Sequence, residues 1–176
     1  MRLEPGRLVR GLLVVALLAA AGCTVQPLYS GDAAVGGGVA AKLAAIDIEP
    51  VNTRVAQEVR NHLIFGFTGG AARPTSPEWT MRLFVVRARL SAVSIQSAAT
   101  PDGEPTAGTI RLTGSYTLTS ADGSTRLRGR RSVSASFDIP RQEFAVVRAV
   151  RDAENRAARE LAELLRITVA ADLARQ

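Results

Sequence analysis

Residues 110–139 read IRLTGSYTLTSADGSTRLRGRRSVSASFDI, and their alternation decides the fold. Ile110, Leu112, Tyr116 and Leu118 alternate with Arg111, Thr113, Thr117 and Thr119; past Asp122-Gly123, Leu127, Val133, Ala135, Phe137 and Ile139 alternate with Arg126, Arg128 and polar residues. A period of two marks strands with one buried face. Asp-Gly between two such runs predicts a two-residue hairpin turn whose residues both take positive φ. Pairing Ala121 with Ser124 sets Leu118 opposite Leu127, Leu112 opposite Val133 and Ile110 opposite Ala135, with Thr119, Thr117 and Ser115 opposite Arg126, Arg128 and Arg130. Both strands then agree on the apolar face, and a one-residue slip destroys the agreement. Arg131 falls on the apolar face opposite Gly114, where the missing side chain leaves room for its stem; it either snorkels at the sheet margin or has an acidic partner.

Working outward, residues 79–95 read as a long strand whose apolar parity changes. Trp79, Met81, Leu83 and Val85 are apolar on odd positions; Phe84, Val86, Ala88 and Leu90 are apolar on even positions, with Arg87 and Arg89 facing away. Such a change predicts a β-bulge and a bend near Val85 or Val86. Residues 97–108 form a polar loop, and 43–49 a first strand ended by Pro50. Asn52 or Thr53 caps a helix to about Phe67, with Val55, Val59, Leu63 and Phe67 on one stripe and Gly66, Gly69 and Gly70 closing it. After Pro140, a helix runs from Glu143 to about Leu173, with Phe144, Val147, Val150, Ala157, Leu161, Leu164 and Leu165 facing inward; at 1.5 Å per residue it extends about 45 Å. The order strand, helix, three strands, helix gives an α+β two-layer sandwich: a four-stranded, mainly antiparallel sheet covered by two helices on one face. Its other face is rich in Arg, Ser and Thr and open to solvent or a partner.

The N-terminus sets the compartment. Arg2, Arg7 and Arg10 precede an uncharged apolar run from Gly11 to Ala21, and Ala20-Ala21-Gly22 leads into Cys23. That is the order of a secretory signal, and Ala20-Ala21-Gly22-Cys23 resembles the bacterial lipobox. Residues 1–22 are expected to be a signal peptide, 23–42 a lipidated N-terminus and flexible tether, and 43–176 the folded periplasmic domain. Several acyl chains on Cys23 give stable attachment where one is marginal. Thr24 is not the aspartate associated with inner-membrane retention, so outer-membrane delivery is expected. The bland alternative is a buried free cysteine.

Composition narrows the chemistry. The 176 residues carry 22 basic and 16 acidic side chains, and 21 of the basic ones are arginine, Lys42 being the exception. One cysteine and one histidine leave few metal or nucleophilic sites. His62 reads as a structural residue near the end of its helix, and Asp47, Glu49 and Glu58 as acids on solvated faces. Gly36-Gly37-Gly38 and Gly69-Gly70 match no phosphate or dinucleotide loop. No cofactor, metal or catalytic residue is expected, and export removes nucleic acid as a partner. Arg111, Arg126, Arg128 and Arg130 share one face, and Arg131 projects oppositely. Alternating arginine either guards an exposed strand against unwanted pairing or binds phosphates of an amphiphile through paired hydrogen bonds, displacing bridging divalent cations.

The segment Gly22-Cys23-Thr24-Val25-Gln26-Pro27-Leu28-Tyr29, followed by this order of elements, resembles the LptE family of LPS-assembly lipoproteins, with Thr24 and Val25 departing from the family's usual glycine and phenylalanine. The resemblance implies a non-enzymatic lipoprotein seated in the lumen of the outer-membrane LPS-assembly barrel LptD, assisting that barrel's folding and LPS delivery to the outer leaflet. Carry-over reaches Cys23, Pro27, Leu28 and Tyr29; the arginines are candidates for LPS binding or for facing the barrel from this sequence alone. A water-filled barrel lumen is polar, so a polar sheet face suits a plug. The competing reading is a generic envelope lipoprotein acting as a protein-binding adaptor.

Overall fold

The computed structural model describes residues 38–91 and 107–176. In chain order these form α1 (Val39–Ala44), β1 (Ile46–Ile48), α2 (Arg54–Thr68), β2 (Trp79–Ser91), β3 (Ala107–Ser120), β4 (Arg126–Asp138) and α3 (Glu143–Ala174). The sheet order is β1-β2-β3-β4, with β1 parallel to β2 and the rest an antiparallel meander. Helix α2 packs on β1 and β2, α3 on β3 and β4, and the two helices on each other, giving the expected α+β sandwich with one sheet face bare. Short α1 is an addition: the tether expected up to Lys42 gives way to helix at Val39, and Lys42 Nζ donates to Leu173 O at the far end of α3 (3.3 Å). The signal segment, Cys23 and Pro27-Leu28-Tyr29 lie outside the described residues, as does most of the 97–108 loop.

Helix α2 forms as its sequence dictates. Thr53 Oγ1 accepts from Ala56 N at 3.2 Å, and Val55, Val59, Leu63 and Phe67 are buried. The β3–β4 register is the one expected, Leu118 facing Leu127 and Ile110 facing Ala135. Its turn is not. Ser120 N donates to Thr125 O (3.0 Å) and Gly123 N to Ser120 O (2.9 Å), leaving four residues in the loop. Only Gly123 takes positive φ there (73°); Asp122 does not. The Asp122 carboxylate instead accepts from Ser120 Oγ (2.5 Å) and Ser124 N (3.1 Å). Lengthening the loop by one residue on each side preserves the pairing, which is why the register survives a different turn.

The Ser120 hydroxyl, and then Ser124, draw the Asp122 carboxyl down to about 2 from an ordinary 3.8. A depressed folded-state value contributes stability above the unfolded value and loses it as pH falls from about 4 to about 2. Over that window the urea midpoint of the native protein is expected to fall more steeply than that of Asp122→Asn, which keeps an acceptor but cannot titrate. Equal slopes would remove the assignment.

Strand β2 carries no bulge. Its pairing with β3 is unbroken from Trp79↔Ser120 to Ser91↔Gly108, so the predicted bend at Val85 or Val86 is corrected. Odd positions stay on the helix-covered face throughout, which puts Arg87 and Arg89 on that face rather than away from it. Phe84, Val86 and Leu90 stand on the bare face with 67, 49 and 39% of their surface exposed. The covered face changes chemistry instead of the backbone changing course. Arg87 Nη1 reaches Glu154 Oε1 of α3 at 2.5 Å, and the Arg89 guanidinium sits 5.3 Å from the Phe137 ring centroid. Arg54, at the start of α2, also bonds Glu154, so that one carboxylate joins α2, β2 and α3.

Helix α3 has nearly the expected length but a shifted buried stripe. Ala153, Ala157, Leu161, Leu165, Val169 and Leu173 are buried, whereas Phe144 is 90% exposed and Val147 and Leu164 lie at the surface. The inward roles expected of those three are therefore corrected: the first turn stands clear of the body. Where α3 crosses β3, a Cβ on Gly114 would lie 3.0 Å from Leu165 Cδ1 and 3.2 Å from Leu161 Cδ2. The space at Gly114 is thus filled by α3, not by the stem of Arg131. Beside this contact the Tyr116 hydroxyl donates to Asp172 Oδ2, tying mid-β3 to the last turns of α3; burial, then that bond, push the phenol well above its ordinary range.

Candidate partner-binding face

The bare sheet face is built from even positions of β2 and β4 and odd positions of β3. Along β3 it presents hydroxyls, several locked to β4 across the ladder: Thr109 to Ser136 (3.4 Å), Thr113 to Ser132 (3.1 Å), and Ser134 Oγ accepting from Arg111 Nε (3.3 Å). Nearer the hairpin, Arg126, Arg128 and Arg130 stand opposite Thr119, Thr117 and Ser115. All three are exposed, and among the described residues none makes an ion pair.

Two shallow hollows of about 410 and 460 Å³ lie side by side here, sharing Arg82, Thr117 and Arg128. Arg82, which the sequence reading did not single out, enters from β2 and is held by Glu49 (Nε to Oε2 3.0 Å, Nη2 to Oε1 3.4 Å). Glu49's hydrogen bond and charge push that guanidinium above its ordinary value. The second hollow also touches Phe84. Side by side, therefore, are guanidinium forks, hydroxyls and an apolar strip, which together suit an anionic amphiphile or a polar wall.

Of the candidate residues, Arg126, Arg128 and Arg130 come together. Arg111 shares their face but sits four residues along β3 from Ser115, turned toward Ser134. Arg131 is on the opposite face and exposed; its Nη1 donates to Arg130 O at 2.9 Å, so it snorkels at the margin. The missed members, Arg82, Phe84 and Val86, are on β2. Continuing the odd-in parity of Trp79, Met81 and Leu83 would have found them.

His62 is half-buried beside a groove of about 780 Å³ on the outer side of α2 and α3, with Phe65, Arg159 and Glu160. Among the described residues no cluster of three or more His, Cys, Asp or Glu side chains could hold a metal, and no helix is long and apolar enough to cross a membrane.

Comparison with known proteins adds a family. The model of the lipopolysaccharide-assembly family LptE matches residues 43–168. Similar solved structures include a candidate lipoprotein from Caulobacter crescentus CB15 (22% identity, 79% of this chain and 98% of that one, TM-score 0.57). Another is rare lipoprotein B from Shewanella oneidensis (11% identity, 74 and 95% coverage, TM-score 0.54). At these identities they show the shared fold. No curated protein matches the sequence.

Proposed function

Because the chain belongs to the LptE lipopolysaccharide-assembly family, we propose that it is an outer-membrane lipoprotein, acylated on Cys23, that plugs the LPS-assembly barrel LptD, assists its folding and helps deliver LPS to the outer leaflet without catalysis. Family membership supports the LPS-assembly role. The observation that carries the plug reading is the bare sheet face, whose arginines and hydroxyls can meet a polar, water-filled lumen. Pro27-Leu28-Tyr29 belongs, in this reading, to the segment leading from the anchor to the domain. Depleting the protein is expected to leave immature barrel and reduced surface LPS. Normal levels of both would defeat the proposal, and copurification with other envelope proteins but never the barrel would favour an adaptor instead.

The arginines supply a narrower test. Arg126, Arg128 and Arg130 bind phosphates of LPS as charge-assisted forks, with Arg111 contributing at the margin of the same face, whereas Arg131 stands on the other side of the sheet. Each exposed contact is modest, so the triple change to glutamine is expected to weaken LPS association about tenfold or more, with the thermal unfolding midpoint unchanged. Binding that survives intact would leave these residues as edge guards or barrel-facing polar surface.

A further inference from the structure

The two margins of the sheet are unequally defended. At the outer margin, β4 alternates Arg126, Arg128 and Arg130 over its hairpin-proximal part, and farther along two of its carbonyls are already used, Arg130 O by Arg131 and Ser136 O by Arg156 Nη2 (2.9 Å). Charge of this kind discourages another strand from pairing. At the other margin β1 is three residues long, and its pairing ends at Ile48↔Met81 with Glu49 N donating to Met81 O (2.9 Å). Past Met81, β2 runs on for ten residues with β3 on one side and, among the described residues, no strand on the other. Since Met81 O points toward β1, the backbone groups of Leu83, Val85, Arg87 and Arg89 face that open side by the two-residue repeat of a strand.

Among the described residues, the stretch from Leu83 to Arg89 is charged only on its helix side, at Arg87 and Arg89, which select what can pair there rather than closing the edge. Its register is unbroken, it contains no proline, and beside the open backbone lie Phe84, Val86 and Leu90, all exposed. A long, regular strand edge with one exposed apolar side is what proteins avoid unless something pairs with it. We infer that the open edge of β2 between Leu83 and Arg89 receives an extended segment of another protein as a fifth strand, apolar on the side beside Phe84 and Val86 and acidic on the helix side.

The charge on the page selects this occupant. On the helix side of the edge Arg54 and Arg87 share the single carboxylate of Glu154, leaving positive charge in excess, and Arg89 follows two residues on with its guanidinium over Phe137. Acidic side chains on the incoming strand would meet it. A second copy of β2 paired antiparallel over the same stretch would set Arg87 and Arg89 against their own images, directly or one step diagonally, and like charges so placed destabilise a ladder. The mode is strand addition, in which main-chain hydrogen bonds supply affinity and alternate side chains supply selection.

The test uses the full chain in detergent micelles and, as probe, an end-blocked nonapeptide alternating valine and glutamate at millimolar concentration, read by amide hydrogen exchange. Exchange at Leu83, Val85, Arg87 and Arg89 is expected to slow at least tenfold while the β4 edge is unchanged. The effect is expected to vanish with the same peptide N-methylated at every backbone nitrogen, with a valine–lysine peptide, and in the Phe84→Lys/Val86→Lys variant. Both changed side chains are exposed, so an unaltered thermal midpoint confirms that variant's fold. The inference is overturned by no slowing, by slowing that survives full N-methylation or the double lysine change, or by protection that grows with protein concentration in the absence of peptide, which would mean self-pairing.

Discussion

Leu161→Ala lowers the free energy of unfolding by about 3 kcal/mol, a large part of what a domain of this size has. Leu161 is fully buried and lies, with Leu165, over the gap that Gly114 leaves in β3. Truncation removes its methyls from above Gly114, and flanking Ala157, Ala158 and Ala162 are too small to fill the void. Urea midpoints at constant m-value measure the loss. The companion change sharpens the claim. Gly114→Val alone overpacks against Leu161 and Leu165 and costs about 1–3 kcal/mol, but in the Leu161→Ala background its side chain occupies the vacated space. The two losses are therefore expected to fall short of adding by more than about 0.5 kcal/mol. Simple additivity would mean that α3 does not rest on Gly114.

Losing Arg54 and Arg87 together costs more than the sum of losing each. The Glu154 side chain is 7% exposed, whereas those of Arg54 and Arg87 are 49 and 47% exposed. Either arginine can rehydrate when its partner is lost, and Glu154 keeps one fork so long as the other remains, so each single alanine change is expected to cost about 1 kcal/mol. The double variant strands the carboxylate among α2, β2 and α3 with no cation to meet it, and about 3–5 kcal/mol is the expected penalty. A double-mutant cycle on thermal or urea unfolding reads the coupling. If the double loss equals the sum of the singles, the carboxylate is being satisfied by water and the three-way junction is not what holds α2 to α3.

The hairpin was legible because two independent alternations and one Asp-Gly agreed on a single pairing; only the turn's backbone escaped, since a two-residue and a four-residue loop give the same register. The far half of β2 was not legible. Phe84, Val86 and Leu90 were assigned to the interior because they are apolar, and Arg87 and Arg89 to solvent because they are charged. The unbroken register inverts the faces: Arg87 and Arg89, still exposed, stand on the helix side, where Arg87 has a carboxylate on α3 and Arg89 an aromatic ring on β4, while the apolar trio lies on the uncovered face. Phe144 misled in the same way at the start of α3. The comb of Arg126, Arg128 and Arg130 could be read from spacing alone, but Arg82 joins it only once β2 is known to run straight, and Glu154 joins nothing until three elements meet.

The chain path also orders assembly. β2, β3, β4 and α3 are consecutive in sequence and adjacent in space; the β3–β4 turn and the β4–α3 link are short, and residues 92–106 join β2 to β3, all cheaper closures than the return from β1 through α2 to β2. β1 reaches its place only after α2 has looped back, and then adds three register pairs. By contact order the unit β2–β3–β4–α3 is expected to form first and β1 to dock last, the reverse of the order in which the chain is synthesised. Until the C-terminal elements have emerged there is little for β1 and α2 to dock on.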